Sequence, residues 1–503
     1  MSLSVGPVYG PRKPETTVLY RVIQANLETF IARSESGGRE LPSFVKREFR
    51  RFLTCGIPQL GFARLVCQRC NHNRLVPYSC KGRGFCPSCC GRRMVETAAH
   101  LTDHVFPHVP VRQWVLSLPF DLRARVAFDA KLRRVVLRTF IRAIYAWLRR
   151  KGRELGVPDS HCGSVTFEQR FGSDLRVNLH FHVLALDGVY AGADGEKPEF
   201  HRAPEPTGQE LDQLAATVHR RVLRALRKGG WVDEDGHWVD TGEEPSLQLE
   251  LTAASAAGRI AQGERRGARV PPVDPLARVD PAPREGRVSA RSGGFDLHAA
   301  VVVEADDRAA LERLCKYISR PPIAGDRLEL TADGRVRYRF KRPWRNGTAH
   351  VDYSPLEFLE RLASLVPLPR LHLIHFHGVL APRSRLRAHV VPTPSPTGRD
   401  CGHQVLGAVA DVAALPEDQA QPAGLPDFPA RQLSKRTWAE LLSRTYGIDG
   451  LECPACPEGR MRIVAFITEA ETIRAILEAM DLPTEPPHPT PARPPPPEVL
   501  ELS

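Results

Sequence analysis

Cys67, Cys70, Cys86 and Cys89 constrain this chain more than any other feature, because they read C-x2-C-x15-C-x2-C. Gly84 and Pro87 favour tight turns beside the second pair, and this spacing is that of a four-cysteine zinc ribbon. Four thiolates hold zinc tetrahedrally and can supply the folding energy of a segment with few large apolar residues. Seven of the 12 cysteines fall between 55 and 90. No apolar run approaches the ~18 residues that span a membrane, and the opening MSLSVGPVYGPRKPE lacks the apolar core of a secretory signal. A cytoplasmic protein with no membrane partner is therefore expected, where thiols stay reduced and metal is a better reading than disulfides.

Cys55, Cys80 and Cys90 are left over, with His72 and His100 within reach in sequence. They leave room for a second site, or for Cys80 to take the place of one of the four. Lys81, Arg83, Arg92 and Arg93 crowd the ribbon, which suits it to a nucleic-acid backbone, with a protein-contacting ribbon as the alternative. A formal net charge of +12, from 70 Lys plus Arg against 58 Asp plus Glu, fits a polyanionic partner only weakly over so long a chain. Two runs concentrate the excess. FVKREFRRFL (44–53) and KLRRVVLRTFIRAIYAWLRRKGR (131–153) read as basic amphipathic helices, the second with Leu132, Val136, Phe140 and Ile144 on its apolar stripe and Arg133, Arg134, Arg138, Arg142 and Arg149 on its other faces.

Within VNLHFHVLALDG (177–188), His180 and His182 flank one phenylalanine in a run that otherwise reads as a buried strand. Residues i and i+2 share a strand face, so both imidazoles point to one place and make half of a metal site. SVTFEQR (164–170), a turn at FGSD and this strand form a β-hairpin. Downstream, GFDLHAAVVVEA (294–305) reads as another strand and DDRAALERLCKYISRPP as a helix stopped by Pro321 and Pro322. On that helix Ala310, Leu311, Leu314 and Ile318 form the docking stripe, and Arg313, Tyr317 and Arg320 share an adjacent face. Two guanidiniums can hold a phosphate, a metal can withdraw charge from a non-bridging oxygen, and a phenol so placed can attack phosphorus.

With these residues in view, the chain resembles the rolling-circle transposases of the insertion sequence 91 family, within the HUH superfamily of single-strand endonucleases. The resemblance rests on SCKGRGFCPSCCGRRM (79–94), VRQWVLSLP (111–119), VTFEQRFGSDLRVNLHFHVLALDGVY (165–190), GFDLHAAV (294–301) and LERLCKYISRPPIA (311–324). It implies structural zinc, a Mg or Mn site at His180 and His182, and Tyr317 as the nucleophile that cleaves and rejoins single-stranded DNA at transposon ends and in target DNA. The third ligand implied is His298, with Gln169 and Glu168 as alternatives. Pairing Arg170 with Leu175 puts Gln169 on the histidine face, but on the order of 13 Å from His180. No second tyrosine stands near Tyr317, since Arg313 and Pro321 occupy the positions one turn away. One tyrosine must then act twice in succession, or two protomers cooperate.

A rival metal pair, His375 and His377, lies in LHLIHFHGVLAP. A plasmid or phage replication initiator with the same chemistry, and a zinc-ribbon DNA-binding regulator without catalysis, are the competing functions. The expected fold is α+β. A helical segment (1–53) and a zinc-binding domain (54–105) precede an HUH-type antiparallel-sheet catalytic domain (106–325), which carries a flexible insertion at 229–292. An accessory α/β region (326–383), a Pro-rich linker (384–430), a small C-terminal ribbon-like module (431–482) and a disordered tail (483–503) follow. In that module Cys453 and Cys456 form a C-x2-C pair with no obvious second pair.

Overall fold

The computed structural model describes residues 9–494 apart from 37, 193–196, 240, 241, 243, 271–287, 345, 393–436 and 457. In chain order come helices α1 (Val18–Glu35) and α2 (Ser43–Leu53), strands β1 (Phe62–Cys67) and β2 (Asn73–Pro77), and helix α3 (Pro87–His104). Strand β3 (Val111–Ser117), helices α4 (Phe120–Phe128) and α5 (Ala130–Glu154), and the hairpin β4 (Gly163–Phe171) and β5 (Val177–Leu186) follow. After β6 (Gly188–Ala191), β7 (Glu199–Arg202), α6 (Gly208–Lys228) and α7 (Leu247–Ala257), the chain forms β8 (Ser289–Ser292), β9 (Phe295–Val303) and α8 (Arg308–Ile318). A small sheet of β10 (Leu328–Leu330), β11 (Val336–Arg339) and β12 (His350–Tyr353) leads to α9 (Pro355–Leu365), β13 (Ile374–Gly378) and α10 (Arg387–Val390). Helix α11 (Trp438–Tyr446), strand β14 (Met461–Ile467) and helix α12 (Ala470–Ala479) close the described chain.

Six strands in the order β13-β4-β5-β3-β9-β8, each antiparallel to its neighbour, form the central sheet. Its two faces follow from strand alternation. Leu179, Phe181 and Val183 of β5 pack with Val136, Phe140 and Ile144 of α5 and Val218 and Val222 of α6. Leu184 and Leu186, of the other parity, pack with Leu101 of α3, Val105 just after it, and Leu311, Cys315 and Ile318 of α8. The fold is thus α+β, a mixed helix and antiparallel-sheet molecule. Asp129 caps α5 by accepting from the backbone N–H groups of Lys131 and Leu132 at 2.7 and 3.0 Å. One expected surface arginine on α5 turns inward: Arg133 is buried, its Nε 3.2 Å from the Glu168 carboxylate on β4. A carboxylate on the core face of a strand needs such a partner.

Several expectations about organisation change. The stretch taken as a flexible insertion contains α7, whose Leu247 and Leu251 are buried in the core that α1 and α9 share. Its residues 271–287 lie outside the described residues. The C-terminal module is not separate, because β14 pairs antiparallel with β1 in a three-stranded sheet ordered β14-β1-β2. Apolar side chains explain this, since Ile473 and Leu477 of α12 bury against Phe62 and Leu75. The described part of the tail lies along α1: Gln24 donates to the His488 carbonyl at 2.9 Å, and the Arg493 backbone N–H donates to Thr29 Oγ1 at 3.0 Å. Helix α8 ends at Ile318, two residues before Arg320. No helix among the described residues is long and apolar enough to cross a membrane.

Candidate active site and metal centres

His180 and His182 project from β5 toward α8, on the face where Gln113, Val115 and Ser117 of β3 also point, and their ring centroids are 4.8 Å apart. His180 Nδ1–H donates to the backbone carbonyl of Asn178 at 2.8 Å, which leaves Nε2 as the ring's acceptor. His182 is 6% exposed, and its Nε2 has no hydrogen-bond partner among the described residues, so the donor set here fits a cation. Its Nδ1 lies 2.8 Å from the Gln113 side-chain amide. A cation at Nε2 requires that amide to present its oxygen to Nδ1–H, the usual outer hydrogen bond of a ligating histidine. Burial pushes His180 down to about 4 and His182 down to about 3, with Arg320 beside both lowering them further. Both rings are therefore neutral at pH 7, as metal ligation needs.

Gln169 stands directly opposite His180 across the β4–β5 ladder, not four residues along. The expected pairing of Arg170 with Leu175 fails because the turn is longer. Leu175 takes a left-handed backbone (φ 62) and is fully buried, and the Gly172 N–H closes the loop on the Arg176 carbonyl at 2.9 Å. Gln169 is 4% exposed, and its Nε2 donates to the Ile318 carbonyl at 2.9 Å. That bond leaves Oε1 as the amide's acceptor and ties the histidine face to the end of α8. Glu168, the other alternative ligand, faces α5 and Arg133. His298 lies in the same row as His182, across Val115 of β3, so two strand spacings, about 10 Å, separate their backbones. His180, His182 and His298 do not form one of the converging groups of ligand side chains among the described residues.

Tyr317 is 52% exposed at the last turn of α8. Arg320 folds back over it, its guanidinium carbon 4.6 Å from the ring centroid and its Nη1 donating to the Tyr317 carbonyl at 3.1 Å. Arg313 is exposed one turn earlier. Cys315, absent from the expected apolar stripe, is fully buried beside Leu311 and Ile318. The rival pair does not share this surface. His375 pairs with Thr166 and His377 with Ser164, so both lie on the α5 face of the sheet, where His375 Nε2 is 2.8 Å from Glu168 and His377 Nε2 is 3.0 Å from Thr166 Oγ1.

The cysteine quartet expected from spacing is not assembled. Cys86 and Cys89 converge with Cys55 and Cys80, whereas Cys67 and Cys70 converge with Cys453 and Cys456. The physical reason lies in the strands. Cys67 ends β1, whose outer edge takes β14, while Cys86 and Cys89 sit at the start of α3, in the core that α1 and α2 build. In the first tetrad Cys55–Cys89, Cys80–Cys89 and Cys55–Cys86 sulfurs are 3.6, 3.4 and 3.6 Å apart. Zinc–sulfur bonds of about 2.3 Å in a tetrahedron place sulfurs about 3.8 Å apart, so the donor set fits zinc and is far too open for disulfides. Backbone N–H groups aimed at sulfur, Gly82 to Cys80 at 3.3 Å among them, stabilise thiolate charge. Hydrogen bonding within the tetrad holds Cys55 and Cys89 down and pushes their partners Cys80 and Cys86 up. Leftover Cys55 and Cys80 were visible in the sequence, but nothing in their spacing assigned them.

Beside this tetrad, Lys81, Arg92 and Arg93 are exposed, and Arg93 Nη2 donates to the Lys81 carbonyl at 3.2 Å. Arg83 is half-buried and donates to the Leu371 carbonyl. A cavity lined by Arg83, Arg93, Gln169, Arg170 and Arg320 runs from the tetrad's loop to the end of α8. Arg170, buried there, donates to the Ala127 carbonyl at 2.7 Å.

Residues 163–387 match the family model described as "Putative transposase", and residues 22–118 match that of a transposase zinc-binding domain of the insertion sequence 91 type. The two matches support a transposase of the insertion sequence 91 type. The first match spans the histidine strand and α8, and the second contains all of the tetrad Cys55, Cys80, Cys86 and Cys89. No curated protein and no solved structure matched. A transposase acts on DNA, and structural zinc in the first tetrad agrees with both the match and the sulfur geometry.

Proposed function

We propose that this transposase cleaves and rejoins single-stranded DNA by a rolling-circle-type HUH mechanism, with Tyr317 as nucleophile and His180 and His182 as ligands of Mg or Mn. One observation carries the reading: Gln169, opposite His180 on the histidine face, donates to the carbonyl of Ile318, the neighbour of Tyr317. Bound metal would supply Lewis-acid withdrawal of charge from a non-bridging phosphate oxygen. Gln169 Oε1 is the third ligand in this reading, in preference to His298, because it lies one strand from the pair, while His298 is separated from it by Val115.

Arg320 stacks on the phenol and lies beside both imidazoles, so it can hold a phosphate between nucleophile and metal site, with Arg313 on the outer side. The Tyr317 phenolic oxygen attacks phosphorus and the bond to O3′ breaks. The 3′ oxygen leaves with a proton, and the 5′ phosphate remains esterified to the tyrosine. Attack by a later 3′ hydroxyl reverses these bonds and reseals the strand. Lys81, Arg83, Arg92 and Arg93 carry the DNA backbone toward this point.

Denaturing gels of wild-type protein and Tyr317→Phe, each with labelled single-stranded DNA from the ends of the mobile DNA, with and without Mn, test this. A protein–DNA adduct that requires both metal and Tyr317 is expected. DNA binding without any adduct would leave the non-catalytic regulator as the better reading.

A further inference from the structure

The pair Cys453 and Cys456 lies beyond both matched segments, and Cys67 and Cys70 lie inside the zinc-binding match without partners there. Each pair completes the other. The Cys67–Cys456 and Cys70–Cys453 sulfurs are both 3.6 Å apart, across 389 and 383 residues of chain. These separations suit four thiolates around one zinc ion at about 2.3 Å each.

The surroundings are built for such an ion. The Arg69 N–H points at Cys67 Sγ at 3.4 Å, and the Ala455 N–H points at Cys453 Sγ at 3.4 Å, one such bond in each C-x2-C turn. Asn71, just after Cys70, takes the left-handed conformation (φ 56) that lets the turn close. Gly459 is equally specific. A Cβ at that position would sit 2.3 Å from Cys456 Sγ and 2.6 Å from Cys67 Sγ, so any side chain there would occupy the space among the sulfurs. Around the tetrad, Arg74 of β2 donates to the carbonyls of Gly450 and Glu452 at 2.9 and 3.1 Å, and Cys67 ends β1 opposite Met461 of β14.

We propose that Cys67, Cys70, Cys453 and Cys456 bind a second structural zinc ion that clasps the C-terminal segment to the N-terminal zinc-binding sheet. Soft thiolates select zinc over the hard cation proposed for the histidine face. The clasp has a reach beyond itself. Arg444 of α11 donates to Asp103 of α3 at 2.7 Å and to Glu312 of α8 at 2.6 Å, so the segment that the ion fastens also braces the helix carrying Tyr317.

The full-length protein, reconstituted with zinc under reducing conditions and freed of excess metal, is assayed for zinc per chain. Two ions are expected in the wild type and one in the Cys453→Ser/Cys456→Ser double variant. One ion in the wild type, or two in the double variant, would overturn the proposal. Because the double variant could misfold, Cys456→His with cobalt in place of zinc gives an independent reading. Two ions should remain, with part of the cobalt ligand-field absorption moved to higher energy as one sulfur becomes nitrogen, and an unchanged spectrum would count against the site. Neither readout depends on DNA cleavage, so the clasp and the nuclease reading stand or fall separately.

Discussion

Gln113 decides how His182 presents its ring, through a 2.8 Å contact at Nδ1. Gln113→Leu removes that partner, and outer hydrogen bonds of this kind are worth about 10- to 100-fold in metal affinity. A Mn titration should show that loss, and unchanged affinity would argue that His182 is not a ligand. Acid behaviour follows from the same pocket. His180 and His182 sit at about 4 and about 3, below the ordinary ~6.5, so the unfolded chain takes up protons first as pH falls. Metal-free protein should lose stability as pH drops from about 6.5 toward about 4. His182→Gln should flatten that decline, as read from urea midpoints across the range.

Helix α8 owes its first turn to Asp307, whose side chain accepts from the Ala310 N–H at 2.8 Å. Asp307→Ala should cost about 1 kcal/mol and fray the tyrosine helix from its start. A lower thermal midpoint with faster amide exchange in α8 would show it, and unaltered exchange would place the helix's stability elsewhere. At this scale much was legible. Period-2 alternation in VNLHFHVLAL and the Pro321–Pro322 stop mark a strand and a helix end whose signals are local. Register was not legible, because a buried Leu175 in left-handed backbone lengthens the turn and slides Gln169 opposite His180. Nor was the inward turn of Arg133, since a pattern of charge does not show that Glu168 waits across the core.

For the whole molecule, the sequence shows that cysteine pairs exist but not which pairs meet. A C-x2-C turn is local, whereas its completion by a pair 383 residues away depends on β14 finding the free edge of β1. The α+β class was readable because its elements are local, and the merging of the two ends of the chain was not. The proposed DNA path is likewise a property of the assembled surface, from the exposed Arg92 and Arg93 to a cavity whose lining includes Arg83, Arg170 and Arg320 and ends at Ile318, the neighbour of Tyr317. Arg92→Ala with Arg93→Ala should weaken single-stranded DNA binding at every sequence. It should also reduce the slope of log affinity against log salt by about 1.4, two phosphate contacts at about 0.7 each. An unchanged slope would move the path off the zinc-binding segment. The central claim, that one phenol at the end of α8 becomes esterified to DNA, is tested most directly by digesting the Mn-dependent adduct and sequencing the modified peptide by mass spectrometry. The account predicts a 5′-phosphonucleotide on Tyr317 alone. Modification of a different residue, or an adduct that forms equally well in Tyr317→Phe, would contradict it.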